Sequence, residues 1–329
     1  MERVGGPIDE LFRSFEQQYG CRILRYSLAF VFFWFGITKP LGISPANQVV
    51  RPALAHTPVL SELISFPLFF SLLGLWEALV GVGLLWRRTV RVAVGCMCLQ
   101  MAATFTPLFV IPDQTFQWWP LVPSTPGFYI MKNFALATAG LVVAALESDR
   151  LPPQKDVPWS RYIRGPWRGI LSGVSRATSR NVTVETSVLR DLSLTGLHAG
   201  LAIVFLWSGI LMVTTSPTPG HWIASVVPNI LVANNVLIPL LGVLELAIGL
   251  YLLIPSFRAT HVAAYLSIGY IGMAMLPVVF HPAQVFVSFP FEPTFEGVYI
   301  FKDLILIAGI LTIDANKRRT PSTVRYSTD

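Results

Sequence analysis

The sequence predicts an all-α integral membrane protein with eight crossings, and three observations predict it. The 329 residues are 53% hydrophobic and only 13% charged, with a mean hydropathy of +0.60, whereas soluble domains carry about 25% charge. Apolar stretches recur near 24–41, 67–86, 90–111, 128–147, 193–214, 235–254, 259–280 and 297–315. Each has the length a helix needs to cross about 30 Å of hydrocarbon. The third observation is where the charge falls. Of 24 Lys and Arg, 20 lie in the N-terminal segment, in the loops after the second, fourth and sixth stretches, and in the C-terminal tail.

Helix is the backbone of choice, because the bilayer core has no water to satisfy peptide groups. The short alternating segments of a membrane β-barrel are absent. The basic asymmetry follows the positive-inside pattern and puts both termini in the cytoplasm, as for a multi-pass plasma-membrane protein. On the other side Arg51 lies in a loop, and Lys39, Lys132 and Lys302 sit at helix ends. The net charge of +6 therefore reads as topology, and nucleic acid is not an expected partner.

Residues 1–21 carry Ile8, Leu11, Phe12, Phe15 and Tyr19 at helical spacing. They predict an amphipathic helix lying on the inner leaflet, or one that docks a partner. The first crossing ends in "ITKPLG" without a small-residue cleavage pattern, so no signal peptide is expected. The second, "LGLWEALVGVGLLW", sets Gly74, Glu77 and Gly81 on one face, the pattern of close helix packing around a carboxylate. The third holds Cys96 and Cys98, at a spacing that points them to different faces and supports no thiol relay. The fourth opens from a proline-rich aromatic hairpin and carries Lys132. Residues 148–191, with Trp159, Tyr162 and Trp167 among arginines, form a cytoplasmic interfacial linker.

The second half repeats the first. "TPLFVIPDQTFQWWPLVPSTPGFYIMKN" (106–133) aligns without a gap to "LPVVFHPAQVFVSFPFEPTFEGVYIFKD" (276–303), with ten of 28 positions identical. "FVFFWFGI" (30–37) matches "IVFLWSGI" (203–210), and 73–86 matches 241–254, placing Glu77 over Glu245. The predicted domains are thus 22–147 and 192–316, two four-helix bundles in the same orientation, followed by a basic tail, 317–329. Inverted repeats, common in alternating-access carriers, are not predicted.

Ionisable groups within crossings mark candidate sites. Glu77 and Glu245 lie in mid-helix, and Lys132 and Lys302 are their expected partners within each half. The pair has two readings, a helix-locking ion pair or an outward-facing pocket. Lys39 has no twin, since Met212 takes its place, so the first half is the favoured site. Asn133 against Asp303 is a second divergence. Gln114 and Gln284 are twinned in the hairpins and, with Trp118, could touch a flat apolar ligand under an aromatic lid; the other reading of these rings is an interfacial belt. No metal site is expected. His198 and His261 fall on Arg25 and Arg91 in the repeat, which makes them ordinary basic positions.

In "FVFFWFGITKPLG", "LLGLWEALVGVGLLW" and then "GFYIMKN" or "GVYIFKD", the chain resembles the DoxX-like superfamily of four-helix membrane proteins, nearest the branch of the reactive-chlorine-resistance inner-membrane protein. The resemblance carries Lys39, Glu77 and Lys132 over in the first half, and Glu245, Lys302 and Asp303 in the second. Met212 and Asn133 depart from its pattern. It implies a redox-linked membrane subunit that binds quinone and works with a redox partner protein, with no covalent cofactor. The residues leave two further readings open, a permease or binder for a small anion or weak acid, and a non-catalytic scaffold.

Overall fold

The computed structural model describes residues 7–148, 186–214, 234–254 and 256–317. Eight long helices organise it. They are α1 (Pro7–Thr38), α2 (Phe66–Leu85), α3 (Val90–Thr104), α4 (Thr125–Ser148), α5 (Thr186–Thr214), α6 (Asn234–Leu253), α7 (Phe257–Ala274) and α8 (Phe295–Lys317). Seven of these, all but α8, lie in segments long and apolar enough to cross a membrane. α8 has the length but carries Glu296, Lys302, Asp303, Asp314 and Lys317, and it is buried almost throughout from Gly297 to Ala315. Lys302, Asp303 and Asp314 are buried within protein, and Glu296 and Lys317 at the helix ends are half-buried. Of the linker expected over 148–191, residues 149–185 lie outside the described residues, and 186–191 form the first turns of α5 instead; the basic tail beyond Lys317 also lies outside them.

α1 is continuous through the boundary expected at residue 21. Its first turns turn inward: Phe12 stacks on Tyr265 of α7 with ring centroids 4.8 Å apart, and Glu16 is buried. Leu11, Phe15 and Tyr19 on the other side stay exposed. The amphipathic pattern is therefore the N-terminal end of a packed helix.

Glycines set the closest crossings. A Cβ on Gly74 would meet the carbonyl of Gly36 at 2.5 Å, and one on Gly242 would meet Gly209 O at 3.0 Å. α1 thus lies backbone-to-backbone on α2, and α5 on α6, in the same register. Beside these contacts a Cβ on Gly74 would touch Lys39 Cβ and one on Gly242 would touch Met212 Cβ, so the two non-identical residues occupy equivalent places.

The hairpins repeat just as closely. Strand β1 (Phe116–Trp118) pairs antiparallel with β2 (Val122–Pro123), and β3 (Phe286–Ser288) with β4 (Glu292–Pro293). Each tip carries a cis proline, Pro120 and Pro290. The hydroxyls of Ser124 and Thr294 donate to the carbonyls of Gln114 and Gln284, both at 2.7 Å, and accept the N–H of Gly127 and Gly297. These bonds fasten the hairpin to the start of α4 or α8.

The halves are interlocked. α1 packs on α8 more extensively than on α4, while α5 packs on α4 more than on α8. α4 and α8 meet at the centre. Trp207 of α5 donates its indole N–H to Leu121 O at 2.9 Å, and Trp34 of α1 donates to Phe291 O at 3.4 Å. Each first helix is therefore tied to the other half's hairpin.

Candidate functional site

α1 ends at Thr38, and Lys39 folds back at its C-terminus, where Nζ donates to Phe35 O at 3.1 Å. The same ammonium forms an ion pair with Glu77 Oε2 of α2. Gln100, a buried amide in apolar α3, donates to Glu77 Oε1 at 2.5 Å. The carboxylate is thereby held from two sides at mid-helix depth, which offsets the cost of taking a charge out of water.

Lys132 does not reach Glu77. It forms an ion pair with Asp303 of α8 and lies 3.2 Å from the centroid of the Tyr299 ring. Lys302 makes the reverse journey. Its Nζ lies 3.3 Å from the centroid of the Tyr129 ring and donates to Tyr129 O at 3.1 Å and Asn133 Oδ1 at 2.8 Å. Asn133 in turn donates to Thr104 Oγ1 at 3.0 Å. Each lysine has crossed to the opposite half, a consequence of α4 and α8 meeting at the centre. The expected pairing of lysine and glutamate within one half is replaced by pairing between halves.

Among the described residues these exchanges leave two unequal spaces. In the first half a cavity of about 230 Å³ is lined by Lys39, Glu77, Gln100, Tyr129, Asn133 and Lys302 at its polar end. Apart from three threonines its walls are otherwise apolar, from residues such as Val31, Phe35, Leu73, Met101 and Leu136. Two short helices, Asn47–Ala55 and Pro58–Leu63, roof it with Val49, Ala53, Leu54 and Leu60. Leu60 is itself exposed, so the cavity reaches the surface there. In the second half, among the described residues, Glu245, Lys132, Asp303, Ser208, Tyr270 and Tyr299 line a space of about 10 Å³; the counterpart of the roof, 219–233, lies outside those residues. Glu245 is buried in this cluster beside the hydroxyls of Ser208 and Tyr270.

The remaining sequence candidates lie elsewhere. Trp118 is exposed and borders a shallow surface depression with Phe109, Asp113 and Trp119. Gln114 and Gln284 are exposed, and their backbone carbonyls take part in the hairpin bonds described above. None of the three lines the cavity. Gln100, Thr104 and Tyr129 do, and sequence reasoning passed over them. The one amide in the third crossing, and a hydroxyl one turn beyond it, were the signal for the first two.

At the end of the bundle opposite the hairpins a separate polar layer forms. Arg25 and Arg87 flank Glu147 at 3.6 and 2.8 Å, and His261 Nδ1 lies 2.7 Å from Asp314 Oδ2. Ligand atoms of Glu16, His261 and Asp314 fall within 4.8 Å of one another, residue types that could hold a divalent cation. The His–Asp contact already accounts for two of them.

Comparison of the chain with protein-family models, with curated proteins and with solved structures gave no match.

Proposed function

We propose that this integral membrane protein binds one amphipathic molecule drawn from the bilayer, with its apolar body in the first-half cavity and its head against Lys39, Glu77 and Lys302. The observation that carries the reading is the first-half cavity itself, about 230 Å³ of mostly apolar wall converging on Lys39, Glu77 and Lys302. A pocket with apolar walls and a few convergent polar groups is the usual form of a small-molecule site. A purely structural role for the charges does not account for that space; among the described residues the matching cluster of the second half leaves about 10 Å³.

In this reading all eight long helices cross the membrane as two DoxX-like four-helix units of the same orientation. α8 crosses despite its charges because they face protein. The basic end lies in the cytoplasm of a plasma-membrane protein, by the positive-inside asymmetry. The resemblance to the DoxX-like superfamily makes a quinone the first molecule to seek and a redox partner the first protein. Glu77, flanked by Lys39 and Gln100, is placed to accept or return a proton at the ligand's head.

The test is occupancy. Protein purified from membranes in mild detergent should carry close to one amphipathic molecule per chain by native mass spectrometry. Ala53→Trp, which fills the cavity from its roof, should remove that molecule and leave the melting temperature within a few degrees. Glu77→Gln should weaken retention. Bound material unchanged in Ala53→Trp would refute the site.

A further inference from the structure

We propose that the molecule in this cavity has an ionised acid head, that of a long-chain carboxylate or a similar lipid-soluble weak acid, and that Lys302 binds it. The proposal rests on the reading of the cavity as a ligand site and specifies the chemistry of what enters it.

The argument comes from comparing two lysines that occupy equivalent places. Lys132 and Lys302 each lie against the face of a tyrosine from the other half, at 3.2 and 3.3 Å from the ring centroid. Each bonds the residue that directly follows the other lysine. For Lys132 that residue is Asp303, a carboxylate. For Lys302 it is Asn133, a neutral amide of nearly the same shape. One ammonium is therefore neutralised by the protein and its twin is not. Among the described residues no carboxylate lies within ion-pair distance of Lys302, whose partners are an amide oxygen, a peptide carbonyl and a ring. Glu77 lines the same cavity, but Lys39 and Gln100 hold it.

The space differs too. Among the described residues about 10 Å³ remains where the carboxylate is built in and Tyr270 stands in the place of Gln100; where the amide replaces the carboxylate, about 230 Å³ opens beside the lysine. A buried ammonium with only neutral partners is poorly compensated for its lost hydration. An anion arriving in that space supplies the missing half of the pair. One lysine lacks a carboxylate, so a single negative charge completes the set, and a dianionic phosphate would bring a surplus. The apolar walls require the rest of the molecule to be hydrocarbon. A small inorganic anion would leave them unfilled.

The experiment uses the full chain in detergent with three probes: palmitate, hexadecanol and a short-chain neutral quinone. Binding is followed by displacement of a fluorescent fatty acid and by the shift in melting temperature. Palmitate is expected to bind wild type at least about tenfold more tightly than hexadecanol, the scale of a desolvated charge pair. Asn133→Asp copies the second half and gives Lys302 an internal partner; the Thr104 hydroxyl, which accepts from Asn133 Nδ2 and donates to Met101 O, can turn to donate to the new carboxylate. It should abolish palmitate binding without lowering the melting temperature. Lys302→Gln retains a donor for Asn133 without the charge and should erase the preference for palmitate over hexadecanol; it carries the test if Asn133→Asp folds poorly. Equal binding of hexadecanol or quinone, or undiminished palmitate binding in Asn133→Asp, would overturn the acid head and leave the cavity reading standing. No probe binding to wild type, together with bound material unchanged in Ala53→Trp, would overturn both.

Discussion

Replacing Asp303 with Asn should strand Lys132 and expose how firmly the halves are joined. The two side chains are 3% and 7% exposed, so neither can turn to water when its partner is lost. Removing one member of such a pair costs about 3–5 kcal/mol. Glu245 borders the same small space and offers the stranded ammonium partial relief, which places Asp303→Asn at the lower end, about 3 kcal/mol. Lys132→Met leaves Asp303 with no lysine in contact and should cost more. The double variant Lys132→Met, Asp303→Leu removes both charges and should recover most of the loss, giving a coupling of at least about 2 kcal/mol. Reversible unfolding of the full chain in mixed micelles measures each corner of the cycle. A protease site placed within 149–185 and cut after folding adds an independent reading, because the nicked wild type should stay together and nicked Asp303→Asn should separate more easily. Single costs below about 1 kcal/mol that simply add would refute a buried, interlocking pair.

Two further outcomes follow from the packing. Gly36→Ala would drive a Cβ to 2.7 Å from Gly74 O and 2.9 Å from Ala78 Cα, backbone that cannot move aside, and should cost about 1–3 kcal/mol in micelle unfolding; Gly95→Ala, with nothing within 4 Å, should cost nothing and serves as the control. Trp207→Phe removes the bond to Leu121 O and should lower stability by about 0.5–1.5 kcal/mol, with faster proteolysis at 119–122 as the local readout.

The helices and the duplication were legible because both leave periodic, local marks. An 18-residue apolar run and a gapless repeat need no knowledge of what touches what. The close crossing at Gly74 and Gly81 was legible for the same reason, since three- and four-residue spacing defines a helix face. Lys39 with Glu77 was within reach, as both lie on adjoining helices. The partners of Lys132 and Lys302 were not. Pairing within a half is the default assumption for consecutive elements, and nothing local distinguishes it from reciprocal exchange. Trp34 and Trp207 held a clue: identical residues kept in matching places on two first helices. Only the fold shows that each reaches the other hairpin. The hairpin rings had two readings in the sequence, because aromatic density marks an interface as readily as a lid, and Trp118 is exposed and does not line the cavity.

The exchange also explains why covalent linkage matters to this site. Suppose the same helices came from two identical four-helix chains. The residue after each central lysine would then be the same on both sides. Two aspartates would neutralise both lysines from within, and two asparagines would leave both without a carboxylate. Asp303 on one side and Asn133 on the other is available only to a chain in which the halves vary independently. The same holds for Lys39 against Met212, at matching contacts with Gly74 and Gly242. Because each lysine crosses over, a change in either half acts on the other's space. The second half contributes Lys302 to the cavity of the first, while the first contributes Lys132 to the filled cluster of the second. One half alone would lose its lysine as well as its neighbour, so the cavity belongs to the fused pair.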